Sequence, residues 1–329
     1  MNRQQVNRHK YLNLSWFRIT LILLLLIFSF LSLSTGVQNF SFLGFLTGNS
    51  DDSFIALVSR IPRTLSIIIT GAGLSMAGLI MQTITNNKFV SPSTAGTMEW
   101  CRLGVCISIL FAAGRNTMSK VLLAFVISLL GTFLFMTLLQ RIKLKNAFIV
   151  PLVGMMMGNV VSAITTFFAY KYDIIQNISS WLQGNFSLII KGNYEILYLG
   201  IPCLIITYLY AHKFTIAGMG ESFATSLGLK HKQVVMIGLV IVAFMTSLIV
   251  VTIGSISFVG LIIPNIISMF RGDNLKGTLL DTSILGAVFV LVCDLIGRTL
   301  IYPYEINVSV VISVIGSLVF VAILFKKHR

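Results

Sequence analysis

The feature that most constrains this chain is the length of its uncharged apolar runs. Residues 19–34 read ITLILLLLIFSFLSLS, and residues 234–270 contain no Asp, Glu, Lys, Arg or His. A helix of about 20 apolar residues crosses the hydrocarbon core of a bilayer, where every backbone N–H and C=O must be paired within the protein. The runs do not alternate apolar with polar residues, so they predict membrane-spanning helices rather than a β-barrel.

The remaining sequence divides into similar runs. Only 10% of the residues are charged, against about 25% in a soluble globular protein, which excludes an ordinary soluble domain. Polar, Gly, Pro and Asn punctuation predicts an all-α polytopic membrane protein of about ten transmembrane helices, forming one domain over residues 1–329. The predicted spans are 17–35, 62–84, 94–113, 119–139, 147–170, 194–211, 233–252, 256–270, 279–301 and 307–325.

The basic residues predict the orientation. With the N-terminus in the cytoplasm, 16 Lys and Arg fall in inner segments and 6 in outer ones, which is the bias that membrane topology favours. Both termini are therefore expected to be cytoplasmic, in a multi-pass protein of the cell membrane. The net charge of +14 does not predict nucleic-acid binding, because the cations lie in short loops and at the chain ends.

Several kinds of chemistry lack their motifs. The sequence contains no G-x-x-x-x-G-K-[ST], no G-x-S-x-G and no H-E-x-x-H, so neither ATP binding by a Walker A loop nor hydrolytic catalysis is predicted. All four histidines fall in predicted cytoplasmic loops or tails. We therefore expect no enzyme activity, no cofactor and no metal site in this chain.

Placing a charged residue inside a membrane span is energetically costly, so each such residue is a candidate for a functional role. Glu99 and Arg102 are three residues apart, near the inner end of the third span, and Asp294 and Arg298 are four apart in the ninth. These spacings place opposite charges on one helix face, and two intramembrane ion pairs are predicted.

Arg60 and Arg63 stand at the predicted outer mouth of the second span, against the usual charge bias. Arginine at a membrane surface can extend to lipid phosphates. It can equally bind a carboxylate through its rigid two-pronged guanidinium. Both readings, lipid contact and an external acidic partner, stay open from these residues alone.

Several segments, taken in order, resemble one known family. RIPRTLSIIITGAGLSMAGLIMQTITNN (60–87), GESFATSLGLK (220–230), GSISFVGLIIPN (254–265), DLIGRTL (294–300) and YEINVSVVISVIGSLVFVAIL (304–324) are similar to motifs of the iron–siderophore and vitamin B12 ABC-transporter permeases. NKFVSPSTAGTMEWCRLG (87–104) resembles the ferric-siderophore branch. The chain departs from the family pattern at Lys88, where Pro is usual, at Asn265, where His is usual, and at Ser255.

The resemblance implies that the chain has the vitamin B12 permease fold and acts as the permease subunit of an ABC importer. Such permeases pair with a second permease, identical or not, around a translocation path. Cytoplasmic ATP-binding subunits drive them, and an extracytoplasmic binding protein delivers the chelate. By the same resemblance, acidic residues of the binding protein would meet Arg60, Arg63 and Arg298. A coupling helix around residues 218–230 would dock on the ATPase through Gly220, Glu221, Ala224, Leu227 and Gly228.

The expected function is therefore import of an iron–siderophore chelate, driven by ATP hydrolysis on a separate subunit. Three alternatives remain at this point: an importer of the same type for heme or cobalamin, a secondary transporter driven by an ion gradient, and a membrane scaffold without transport. A secondary transporter would favour several intramembrane acids and inverted repeats, and the sequence shows neither clearly.

Overall fold

The computed structural model describes residues 3–36, 44, 50–111, 117–141, 149–192, 194–272 and 275–327. The regular structure of these residues is helical throughout. The helices are α1 (Arg3–Ser34), α2 (Ser50–Ile55), α3 (Ile61–Ile84), α4 (Thr97–Phe111), α5 (Thr117–Arg141), α6 (Ile149–Lys171), α7 (Ile175–Leu182), α8 (Gly200–Ala217), α9 (Glu221–Ser226), α10 (His231–Thr252), α11 (Val259–Arg271), α12 (Leu275–Thr299) and α13 (Val308–Lys327).

Each of the ten predicted spans coincides with a helix. Within the described residues, 7 helical segments are long and apolar enough to cross a membrane, and Val259–Arg271 and Val308–Ile323 are shorter apolar helices. The predicted break between the spans 233–252 and 256–270 is confirmed, since α10 ends at Thr252 and α11 begins at Val259. The all-helical membrane fold predicted from the sequence is confirmed. The span predicted at 194–211 is longer than predicted, because it begins with a 3₁₀ turn at Glu195–Leu199 and continues as α8 to Ala217.

Helix α3 lies at the centre of the bundle, where it packs against α8, α10, α11 and α12. Its small residues make this possible, because Gly71 lies against the backbone of Gly286 and Gly78 against that of Gly260, with no room for a Cβ at either position. Close backbone approach of this kind is how helices associate without a hydrophobic driving force in lipid.

A short segment that follows α7 is hydrogen-bonded to the turn between α10 and α11 and to the beginning of α13. The Ser255 N–H donates to the Leu182 carbonyl at 3.1 Å, the Asn185 N–H to the Ile253 carbonyl at 3.1 Å, and the Ser309 N–H to the Gly184 carbonyl at 3.2 Å. These bonds join the residues after α7 to the α10–α11 turn and to the beginning of α13. Sequence patterning predicted neither α7 nor this arrangement, since eight residues are too few to read as a span.

Asn265 and Lys88, two positions at which the chain departs from the family pattern, meet beyond the C-terminal end of α3. The Asn265 side-chain amide donates to the Lys88 carbonyl at 2.9 Å and to the Leu261 carbonyl at 2.7 Å. One amide thus joins α11 to the turn that follows α3. The Asn that replaces the usual His therefore binds the backbone of the Lys that replaces the usual Pro.

Candidate functional site

Five charged residues gather beside the C-terminal end of α12, which the distribution of basic residues predicts to face outward, and form what we call the outer arginine cluster: Arg60, Arg63, Asp294, Arg298 and Glu305. Arg63 holds two acids at once. Its Nη1 donates to Glu305 Oε2 at 2.9 Å, and its Nη2 donates to Asp294 Oδ1 at 2.8 Å. The two prongs of one guanidinium therefore connect α12 to the loop that precedes α13.

Arg298 completes the bridge on the other side of the same carboxylate. Its Nη2 lies 2.6 Å from Asp294 Oδ2, which confirms the predicted i, i+4 ion pair. It also donates to the Ser32 hydroxyl at 2.7 Å and to the Thr35 carbonyl at 2.9 Å. Asp294 is 2% exposed and Arg298 4%, and each is paired with an opposite charge, as buried ions require. Asp294 Oδ2 and the Nε atoms of Arg63 and Arg298 have no hydrogen-bond partner among the described residues.

Glu305 is the most accessible acid of the cluster, and it also accepts a hydrogen bond from the Ser187 hydroxyl. Burial alone would raise the pKa of the Glu305 carboxyl. The Ser187 hydrogen bond and the Arg63 guanidinium outweigh burial and hold that pKa below its usual range. Glu305 is therefore ionised near neutral pH and neutralises part of the positive charge on Arg63.

Arg60 lies at the end of a π-helical turn, Ala56–Arg60, that leads directly into α3. Its guanidinium packs against Gly36 at the end of α1, where a Cβ would overlap it, and the residue is 7% exposed. The structure thus brings together the three arginines that the sequence singled out, Arg60, Arg63 and Arg298, and it surrounds them with two acids.

A second site, the polar cavity, lies between α4, α6 and α7 and has a volume of about 280 Å³. Arg102 Nη1 lies 3.1 Å from Glu99 Oε2, which confirms the second predicted ion pair. Hydroxyl and amide groups complete the polar part of the lining, and they belong to Ser162, Thr165, Thr166, Ser179 and Gln183.

The depth of this ion pair differs from the sequence prediction, which placed it near the inner end of a span. Glu99 does lie near the beginning of its own helix, but that helix begins late, after the irregular residues 85–96. The Glu99 side chain lies against Gly158, nine residues into α6, or about 14 Å from the start of that helix. The pair therefore lies level with the middle of α6.

A third charged site occurs near the N-terminal end of α12, and we call it the inner aspartate cluster: Arg18, Arg271 and Asp281. Arg18 Nε donates to Asp281 Oδ1 at 2.9 Å, and Arg271 forms an ion pair with the same carboxylate. The guanidinium of Arg271 also lies 6.0 Å from the centroid of the Phe17 ring. One buried carboxylate thus joins α1, α11 and α12.

The predicted coupling segment, residues 218–230, contains the short helix α9, with Glu221 as its first residue. Gly220 precedes it with φ 106° and Gly228 follows it with φ 77°, a region in which glycine is favoured over other residues. Ala224 is buried, whereas Met219, Phe223 and Leu227 are about half exposed. The segment therefore presents apolar side chains outward beside Glu221.

Sequence reasoning missed several residues of these sites. Glu305 belonged to a recognised motif but received no role, and Ser187 gave no signal at all. Asp281 could have been noticed as an acid inside the span predicted at 279–301, although its arginine partners are on other helices. The polar lining of the cavity was missed because Ser and Thr are ordinary residues in membrane helices.

Comparison with known proteins gives concordant results. The family model of the FecCD transport family matches residues 21–326. The chain is 54% identical to the petrobactin import system permease protein YclN of Bacillus subtilis, over 93% of this chain and 97% of that protein. It is 38% identical to the ferric-anguibactin transport system permease protein FatD of Vibrio anguillarum, over 82% of this chain and 86% of that protein.

A solved structure gives the same result for the fold. A metal-chelate type ABC transporter in an inward-facing conformation is similar with a TM-score of 0.80 and 25% identity, covering 94% of this chain and 98% of that one. The similarity extends over nearly the full length of both chains.

Proposed function

The chain belongs to the FecCD transport family, and from this premise we propose that it is the permease subunit that carries a ferric siderophore across the bacterial cell membrane. The 54% identity to a petrobactin permease over 93% of the chain is the observation that carries the proposal. Ferric petrobactin is the first cargo to test, and ferric anguibactin is the second because of the 38% identical relative.

The test is uptake of iron-59 supplied as ferric petrobactin, ferric anguibactin, heme or unchelated iron to cells with and without this chain. Uptake of at least one ferric siderophore that disappears without the chain, and returns with a plasmid copy, is the expected result. Retained siderophore uptake in its absence, or loss of heme uptake alone, would contradict the proposal.

We propose further that the transporter is an assembly in which this chain does not hydrolyse ATP. A second permease completes the path, cytoplasmic ATPase subunits supply the energy, and an extracytoplasmic binding protein delivers the chelate. The absence of a Walker A motif from the sequence supports this division of labour.

The outer arginine cluster is the proposed docking site for the binding protein, with the arginines meeting its carboxylates. Its three cations and two acids leave one positive charge in excess, and Glu305 is an acid that an incoming carboxylate could replace on Arg63. Arg60→Gln and Arg63→Gln should weaken binding-protein affinity and flatten its salt dependence, whereas Lys191→Gln, an exposed cation outside the cluster, should not. Equal affinities for all four proteins would refute this assignment.

The segment around α9 is the proposed coupling element, which transmits ATPase motion into the bundle. The exposed Met219, Phe223 and Leu227 fit an apolar protein partner, and Gly228 sets the direction of the chain as it leaves the helix. Glu221→Gln and Gly228→Ala should lower the iron transported per ATP hydrolysed. Gly192→Ala is a matched control, because Gly192 also has a positive φ and open space around it. Unchanged transport per ATP in both variants would contradict the proposal.

A further inference from the structure

The ion pair in the polar cavity is neither buried nor at the surface. The side chains of Glu99 and Arg102 are 26% and 31% exposed, although both lie level with the middle of a long apolar helix. The cavity wall beside them carries four hydroxyl groups and the Gln183 amide. The adjoining outer surface of α6, in contrast, exposes large apolar side chains such as Met156, Val160 and Phe167.

Lipid cannot be the medium that fills this cavity. A charge facing hydrocarbon at mid-depth is strongly unfavourable, and ionisable residues within membrane bundles face the interior or a water-filled space. The exposed part of the pair therefore faces water, and the apolar outer surface of α6 faces lipid or a second subunit. Ionisable residues that face such a space often mark the path of a substrate.

The geometry of Arg102 leaves it able to bind a ligand. Its Nη1 makes both hydrogen bonds to Glu99, at 3.1 and 3.4 Å. Its Nε is buried and has no hydrogen-bond partner among the described residues, so Nη2 is the nitrogen that a ligand in the cavity would meet. A guanidinium binds carboxylate oxygens in pairs, and here Glu99 occupies only one nitrogen. The neighbouring hydroxyls of Ser162 and Thr166 can donate hydrogen bonds to further oxygens of the same ligand.

We propose that the polar cavity is a transit site for the carboxylate group of a ferric chelate, with Arg102 as the residue that binds the carboxylate. This inference rests on the proposed function. Glu99 has a defined part, since it offsets the charge of Arg102 and keeps binding weak enough for release. A transport pathway needs sites that the cargo both enters and leaves.

The test uses the complete transporter in proteoliposomes, with its partner permease, ATPase and binding protein. The probes are two iron-59 chelates that the binding protein accepts equally, one with a free carboxylate and one with that group converted to an amide. Arg102→Gln is expected to lower uptake of the carboxylate chelate about tenfold, because a charge-assisted hydrogen bond is lost. Uptake of the amide chelate should change less than about twofold.

Two further variants keep the result interpretable. Lys171→Gln removes a cation from the end of α6, outside the cavity, and should leave the ratio of the two uptake rates unchanged. Glu99→Gln leaves Arg102 without its counter-charge, so the concentration for half-maximal uptake should fall for the carboxylate chelate only. This second variant provides the test if Arg102→Gln does not assemble.

The outcomes separate the inference from the proposed function. Equal losses for both chelates in Arg102→Gln, or no loss for either, would overturn the transit site while leaving a working permease. Failure of the wild-type transporter to take up either chelate would overturn the proposed function and this inference with it.

Discussion

The two aspartates of α12 offer a comparison within one helix. Asp281 and Asp294 are 13 residues apart, or about 20 Å along the axis, and each is buried between two arginines. At the outer arginine cluster a second acid, Glu305, also binds Arg63, and backbone carbonyls also accept hydrogen bonds from Arg298. At the inner aspartate cluster both ion pairs depend on the single carboxylate of Asp281. The outer cluster can lose one acid and keep another, whereas loss of Asp281 leaves the buried Arg271 without an ion partner; the Arg18 side chain is 40% exposed and stays partly solvated.

The largest effect is expected from Asp281→Asn. It leaves the guanidinium of Arg271, whose side chain is 5% exposed, without its ion partner, and breaking a buried ion pair costs about 3–5 kcal/mol. The detergent-solubilised protein should show a clearly lower melting temperature and a reduced yield. Asp173→Asn is the control, because Asp173 is exposed with φ 55°, where Asn is well tolerated. Equal melting temperatures for the two variants would remove the distinction between the clusters.

A smaller effect is expected from Asp294→Asn. Arg63 keeps Glu305, and Arg298 keeps the Ser32 hydroxyl and the carbonyls of α1. The cost should be that of weakened charged hydrogen bonds, about 1–3 kcal/mol. Measured under the same conditions, this variant should melt between the wild type and Asp281→Asn. A melting temperature at or below that of Asp281→Asn would reverse the comparison.

The smallest change in stability is expected from Glu305→Gln, and it should depend on pH. The pKa of Glu305 is held below its usual range, so its stabilising contribution is present above the pKa of the unfolded chain and disappears as the pH falls through the folded value. At neutral pH the variant should be less stable by about 0.5–1 kcal/mol, in keeping with a partly exposed pair. The difference between wild type and variant should shrink in acid, which melting curves between neutral and acidic pH will show.

Glu305→Gln also tests the docking proposal, and its expected effect on binding-protein affinity is opposite to its effect on stability. Removing the charge of Glu305 frees Arg63 for an external carboxylate, so binding-protein affinity should rise while stability falls slightly. Ser187→Ala serves as a milder companion, since it removes only the hydroxyl that binds Glu305. A lower affinity in Glu305→Gln would mean that Glu305 itself contacts the binding protein.

The comparison also shows what the sequence could predict. Asp294 and Arg298 were predicted as a pair because helical periodicity alone brings them together. Arg18 and Asp281 are separated by 263 residues, and no local pattern connects them. Their contact follows from the packing of α1 against α12, which is a property of the tertiary fold.

The same distinction applies to the rest of the molecule. Apolar length predicted each long helix, since lipid leaves few alternatives for the backbone. The late beginning of α4, which moves Glu99 to mid-depth, depends on how residues 85–96 fold against α6 and α11. Ser162 and Thr166 line the cavity because α7 folds back beside Glu99 and Arg102, and no local sequence pattern predicts that contact.

The hydrogen bond from the Asn307 side-chain amide to Gln183 Oε1, at 2.9 Å, has a mechanical consequence. Asn307 is two residues after Glu305, which Arg63 binds, and Gln183 lines the polar cavity. One residue separates Glu305 from Asn307, so a backbone displacement at Glu305 acts on Asn307 over at most about 7 Å of chain. The outer arginine cluster and the cavity wall are thus joined by one intervening residue and one side-chain hydrogen bond. If the proposed docking moves the backbone at Glu305, the hydrogen bond from Asn307 to Gln183 is the contact through which that movement would reach the cavity wall.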